Sequence, residues 1–228
     1  LKYFRILIFI IICTFSINTS FAGVVIGGTR VVYNGDRKEA SISINNPETD
    51  ISYLIQSWIQ GENDETKTPF IVTPPLFKLT AGNETVLRIV KTGDNLPTDR
   101  ESLFWLNVKS IPATVKSEEN QLQITVRSRF KLFYRPTQLA EDASIAYKAL
   151  KFKVEGNILT AENPTPYYIS FAYLGIGNAS KNHEIQTAGM LPPFGQQIWD
   201  IPIKNIKHVS WKTINDFGGI TPEEKHIF

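Results

Sequence analysis

The sequence predicts an all-β protein built from two β-sandwich domains in tandem. Three observations carry that expectation. Apolar and polar residues alternate over short runs, as where Ala40, Ile42 and Ile44 are separated by Ser41 and Ser43, the pattern of a strand with one dry and one wet face. Turn-forming residues punctuate these runs, and no long stretch keeps the period of an amphipathic helix. The pattern then halts at the polar residues 138–144 (QLAEDAS), just after Pro136, and restarts.

Residues 25–33 form the first run, followed by Asn34-Gly35, the dipeptide best suited to the positive φ angles of a tight hairpin. Residues 40–44 and 51–60 come next, the latter carrying Trp58, which with Trp105 is read as a core aromatic. Residues 70–79 are interrupted by Pro74-Pro75, which confines them to an edge or a kink. Ala81-Gly82-Asn83 then turns the chain into residues 86–90. The two longest runs, 103–111 and 122–134, complete the set expected of an immunoglobulin-like sandwich. The second unit repeats the design with runs at 150–154, 158–161, 167–176, 197–203 and 208–214, separated by Asn163-Pro164 and Pro192-Pro193. Its final segment, ITPEEKHIF after Gly219, lacks the apolar strand expected to close a sandwich. The last strand is therefore expected to be short or lost. The expected domains are 23–143 and 144–228, the second shortened.

The first 22 residues bear on compartment. Lys2 and Arg5 precede the apolar residues 6–15 (ILIFIIICTF), and Ser20-Phe21-Ala22 places small residues where a signal peptidase reads. This is the three-part pattern of a secretory signal, too short to span a bilayer, which takes about 20 residues. Cleavage would leave Gly23 first and implies export. Cys13, the single cysteine, lies in this segment behind Ile12, too bulky a neighbour for a lipidated cysteine. The remainder has no thiol and must rely on its hydrophobic core. Without Lys2 and Arg5 the basic count falls from 24 to 22, against 22 acidic residues. A balance near zero gives no general attraction to nucleic acid or anionic membrane.

Five motifs then stand in order along the chain. They are Thr29-Arg30, residues 99–104 (DRESLF), residues 131–136 (KLFYRP), residues 162–168 (ENPTPYY) and residues 214–219 (INDFGG). Each alone is weak. In this order and at this spacing they resemble the signature of the periplasmic pilus chaperones of the PapD-like family. With a short 112–120 segment and no cysteines in the exported part, the chain is most similar to the short-loop subgroup.

The resemblance implies a function as well as a fold. A periplasmic chaperone of this kind binds pilin subunits that lack their last strand, lends them one of its own, and delivers them to an outer-membrane usher. It uses no cofactor, metal or small-molecule substrate, and the free protein can self-associate. The resemblance assigns the lent strand to Leu122, Ile124 and Val126. It places a cleft between the two immunoglobulin-like domains, and assigns capture there of the subunit's terminal carboxylate to Arg30 and Lys131, and an interdomain ion cluster to Glu101, Arg135 and Asp216. Pro164 and Pro166 are expected to shape a turn near the cleft.

The chemistry suits these assignments. Leu122, Ile124 and Val126 alternate with Gln123, Thr125 and Arg127, so the three apolar groups share a face at about 7 Å intervals. A slip of one residue would exchange them for polar groups, so the register needs a fixed point. A guanidinium and an ammonium group holding a carboxylate supply one. Alternative readings come from the residues themselves. An alternating strand is ordinarily core, an isolated arginine is ordinarily solvated, and three charges in three motifs can be unrelated surface groups.

Catalysis finds no support in the sequence. His183, His208 and His226 have no metal-ligand spacing, and no nucleophile elbow, phosphate loop or HExxH motif occurs. Two non-enzymatic rivals differ in what they require. A pilin or adhesin would need an alternating N-terminal extension after Gly23, and a generic two-sandwich binding module would not need KLFYRP joined to an alternating strand.

Overall fold

A computed structural model describes residues 23–65, 67–114, 122–139, 142–178 and 181–228. The expected signal segment 1–22 and most of the 112–120 segment lie outside the described residues.

The first domain is a sandwich whose chain changes sheet twice. β1 (Val25–Ile26) pairs with β3 (Glu39–Asn45), whereas β2 (Arg30–Asn34) runs parallel to β9 (Val126–Arg135) in the opposite sheet. The single run read at 25–33 is thus two strands, broken at Gly27-Gly28. β5 (Phe70–Thr73) and β6 (Leu76–Leu79) divide in the same way around Pro74-Pro75. Proline has no N–H to give a ladder, so a paired proline is where a strand can leave its sheet. With β4 (Tyr53–Gly61), β7 (Glu84–Lys91) and β8 (Ser102–Pro112), the sheets run β1-β3-β7-β5 and β2-β9-β8-β4-β6.

Asn34-Gly35 does not make the tight hairpin its sequence suggests. β2 and β3 belong to different sheets, so no two-residue turn can join them. Gly35 serves closeness instead: its N–H donates to the Arg135 carbonyl at 2.8 Å, and a Cβ there would lie 3.1 Å from that oxygen. Between the sheets, Ile44, Ile55, Leu87, Ile89, Leu106 and Leu132 are fully buried.

Trp58 and Trp105 are not core residues. Both are half-buried on the outer face of the five-stranded sheet, where Arg127 lies over Trp58 and Arg129 over Trp105. Alternation divides a strand into two faces without saying which meets the other sheet, and an aromatic ring fits either when a long cationic stem covers it.

The linker leads through a short 3-10 turn (Ala146–Ala149) into the second sandwich. One sheet is β10 (Lys151–Glu155), β11 (Ile158–Glu162) and β15 (Gln196–Asp200). The other runs β13 (Asn182–Glu184), β12 (Ile169–Gly177), β16 (His208–Thr213) and β17 (Glu224–Ile227), with β14 (Met190–Leu191) pairing β12. The final strand, expected to be short or lost, is short: Glu224–Ile227 pairs antiparallel with β16 over four residues despite its polar sequence. It sits at a sheet edge, where charged side chains are tolerated and suppress further pairing.

Candidate functional site

The cleft between the sandwiches is assembled from the five motifs. β9 supplies its outward-facing residues Lys131, Phe133 and Arg135 to the cleft, while Leu132 and Tyr134 point into the first core. This accounts for a lysine set in apolar sequence: KLFYR is an ordinary alternating strand whose outer face is covered by the second domain. Phe133 packs on Tyr168 with ring centroids 5.5 Å apart.

Arg30 and Lys131 are directly paired neighbours in the parallel β2–β9 ladder, which brings two cations side by side. Arg30 donates from Nη1 to the Ile214 carbonyl at 3.0 Å, and Lys131 Nζ donates to Ser170 Oγ at 3.0 Å. The Arg30 Nε is buried with no hydrogen-bond partner among the described residues. Burial, reinforced by the neighbouring guanidinium, lowers the Lys131 ammonium to about 8. Arg30 is also held below its ordinary value by burial, against the attraction of Asp216 and Glu101. Two neighbouring cations and an N–H without a partner among the described residues are chemically suited to accept an anion. A cavity of about 260 Å³ opens beside them, lined by Arg30, Phe133, Tyr168, Ile214 and Phe217 among others.

Glu101, Arg135 and Asp216 meet at the base of the cleft. Arg135 donates from Nε to Glu101 at 2.8 Å and from its two terminal nitrogens to Asp216 at 2.7 and 2.9 Å. Glu101 is 3% exposed, and its second oxygen accepts from the Tyr168 N–H at 2.8 Å. Burial opposes the Arg135 charge, but the two carboxylates outweigh it and hold that guanidinium above its ordinary value. Burial pushes the Glu101 carboxyl up, against the pull of Arg135 and the Tyr168 N–H.

Local turns aim these groups. In ENPTPYY, the buried Asn163 donates to the Tyr167 and Pro192 carbonyls at 2.7 and 2.9 Å and accepts from Thr165, fixing the turn that contains both prolines. Pro166 then accepts from the Glu101 N–H at 2.9 Å. In INDFGG, Asn215 Oδ1 accepts from the Phe217 and Gly219 N–H groups, which orients Asp216. Gly218 has φ +83°, in the left-handed region where glycine is favoured.

The strand assigned to guest binding is only partly a strand. β9 begins at Val126; Leu122 and Ile124 lie in the irregular segment ahead of it. All three are exposed, Leu122 at 90% and Ile124 at 68%. β2 covers the outer edge of β9 only over residues 131–135, and among the described residues no strand pairs that edge over 126–130. Ile124 and Val126 line a second cavity of about 260 Å³ at the open end of the first sandwich. The site is therefore a bare strand edge with an apolar face, ending at two cations. Among the described residues no group of three or more His, Cys, Asp or Glu is placed to hold a metal ion.

Sequence reasoning missed a group on the outer face of this sheet: Gln60, Asp64, Asn107, Arg127 and Arg129, with the two tryptophans. A signal existed in the parity of the residues. Arg127 and Arg129 share a face with Lys131 and are opposite in parity to Val126.

Comparison with known proteins gives a consistent result. The profile for "Pili and flagellar-assembly chaperone, PapD N-terminal domain" matches residues 23–140, and that for "Pili assembly chaperone PapD, C-terminal domain" matches residues 145–225. The chain is 43% identical over 206 residues to the chaperone protein LpfB of Salmonella typhimurium, covering 88% of this chain and 87% of that one. It is 40% identical over 205 residues to the chaperone protein FimC of Escherichia coli K12, covering 89% and 83%. Among solved structures, the Salmonella enterica SafA pilin in complex with the SafB chaperone matches with a TM-score of 0.81 at 31% identity, over 92% of this chain and 99% of that one. With both domain profiles matched in order and two sandwiches meeting at a cationic cleft, this chain belongs to the PapD family of pilus-assembly chaperones.

Proposed function

We propose that this protein caps pilin subunits by donating the strand around Ile124 and Val126, and passes them to an outer-membrane usher. One observation carries the reading: the bare edge of β9 over Val126–Phe130 runs directly into the paired cations Arg30 and Lys131. A guest strand pairing along that edge gains a ladder of backbone hydrogen bonds, and Leu122, Ile124 and Val126 give it apolar contacts at alternate positions. Its terminal carboxylate between Arg30 and Lys131 sets the register, and those charge-assisted hydrogen bonds are directional. The free energy comes from completing the guest's fold, so no nucleotide or metal is needed.

The protein acts in the periplasm after removal of residues 1–22, with domains spanning 23–143 and 144–228. Glu101, Arg135 and Asp216 set the angle between those domains. The test is co-expression with a pilin subunit in the periplasm. A one-to-one complex that Lys131→Ala abolishes is the expected result. A stable complex indifferent to that substitution overturns the carboxylate anchor.

A further inference from the structure

The outer face of β9 carries an arrangement that the cleft does not use. Arg127 donates from Nε and Nη2 to Asn107 Oδ1 at 3.1 and 2.7 Å, and from Nη2 to Gln60 Oε1 at 2.8 Å. Its guanidinium carbon lies 5.1 Å from the centre of the Trp58 ring. Asn107 has 0% exposure although it faces outward, and its amide donates to Gln60 at 3.0 Å. Two positions along, Arg129 lies 4.2 Å from the centre of the Trp105 ring and pairs with Asp64. Asp64 holds a φ of +66°, an uncommon conformation for a residue other than glycine, though aspartate tolerates it best. Two arginines of one strand are thus fastened across β8 to β4 and its following loop, each by a stacked ring and hydrogen bonds.

The position of these clamps along the strand is what matters. An edge strand paired on one side frays, and ordering its backbone opposes association. Pairing of β9 with β8 ends at Val126 opposite Ser110, one residue beyond Arg127. Upstream the chain is irregular: no ring contact is seen for Thr125 or Gln123 among the described residues, and Gln123 Nε2 donates to the Pro112 carbonyl at 2.7 Å, a single side-chain tie in place of a clamp. We infer that Arg127 and Arg129 are positioning residues: their stacks on Trp58 and Trp105 hold residues 126–130 as a preformed half of the donated strand, while Leu122 and Ile124 become ordered only as the guest arrives. This rests on the donor-strand reading and adds an order of events. The guest engages the cations and the rigid half first, then the loose half closes.

Hydrogen–deuterium exchange on the guest-free protein tests the clamp directly. In Arg127→Met/Arg129→Met, amides of 126–130 that donate to β8 are expected to exchange about tenfold faster, with those of β3 and β7 unchanged. Unchanged exchange at 126–130 overturns the inference. Arg129→Lys, which keeps a cation over Trp105, is expected to retain the protection of those same β8-bonded amides; equal loss in this milder variant overturns the role given to stacking. Rates with a pilin subunit that co-expression retains give the second readout. Association is expected to slow by about tenfold while dissociation stays within twofold, because in the finished complex the guest itself holds the strand. Slowed association is not expected from a purely structural loss of stability, and an unchanged association rate overturns the inference. Since exchange is measured without a guest, a chain that takes up no pilin refutes the donor-strand reading and still leaves the clamp measurable.

Discussion

On the proposed reading, Lys131 alone would set both the register and the pH range of binding. Its ammonium is lowered to about 8 by burial and then by Arg30. A lysine whose folded value lies below its unfolded one costs the fold stability while it is charged, and that cost is relieved as pH rises from about 8 towards 10.5. A bound carboxylate reverses the preference, since it needs the ammonium. Affinity for a guest ending in a carboxylate is therefore expected to be flat below pH 8 and to fall above it, by about tenfold between pH 7 and pH 9. Titration calorimetry or fluorescence over that range checks the slope. Lys131→Arg should flatten it, since a guanidinium does not titrate there. Sequence showed Lys131 to be unusual through its apolar neighbours. The depressed ammonium was not legible, because it depends on Arg30 lying opposite in a parallel ladder, a pairing formed across about a hundred residues of chain.

β9 is paired differently along its length. Residues 131–135 are covered by β2 on one side and β8 on the other, whereas 126–130 are paired on one side only. The alternation of Leu122, Ile124 and Val126 was plain in the sequence, and so was the apolar stripe. What alternation could not give was where regular structure begins, since Leu122 and Ile124 carry the pattern outside the strand. The same limit explains the other misread elements. The runs at 25–33 and 70–79 had strand composition throughout, and only the sheet assignments reveal two strands in each. Whether β17 was short or lost stayed open in the sequence because an edge strand needs backbone partners more than apolar side chains. The exposed stripe makes a sharp prediction. Ile124, at 68% exposure, can be replaced in the free protein with little effect on stability. Ile124→Asp should leave the urea midpoint of the free chaperone unchanged. It should weaken pilin binding by at least about a hundredfold, because a carboxylate entering the guest's apolar groove would be desolvated without a partner. Equal binding by that variant would place the guest elsewhere.

For the whole molecule, the question is what fixes the angle between two sandwiches joined by a short polar linker. Their contact is mostly polar: Arg135 bridges Glu101 and Asp216, Glu101 pairs with the Tyr168 N–H, and Arg30 and Lys131 reach Ile214 and Ser170. Buried ion pairs give doubtful net stability, but breaking one leaves a charge stranded. The two carboxylates differ in this respect, for the Glu101 side chain is 2% exposed and that of Asp216 41%. Arg135→Ala would strand Glu101 in a dry site, a loss of about 3–5 kcal/mol at the domain contact. Asp216→Asn removes only a partly solvated partner and should cost about 0–1 kcal/mol. The expected outcome is an ordering of shapes as well as energies. Small-angle scattering should show a wider distribution of interdomain distances for Arg135→Ala and little change for Asp216→Asn, with β-sheet content retained in both. A guest that bridges the cleft, as proposed, should narrow the Arg135→Ala distribution again. If Arg135→Ala keeps the native distribution, the angle is set by the Phe133–Tyr168 contact and the linker, and the cluster has no orienting role.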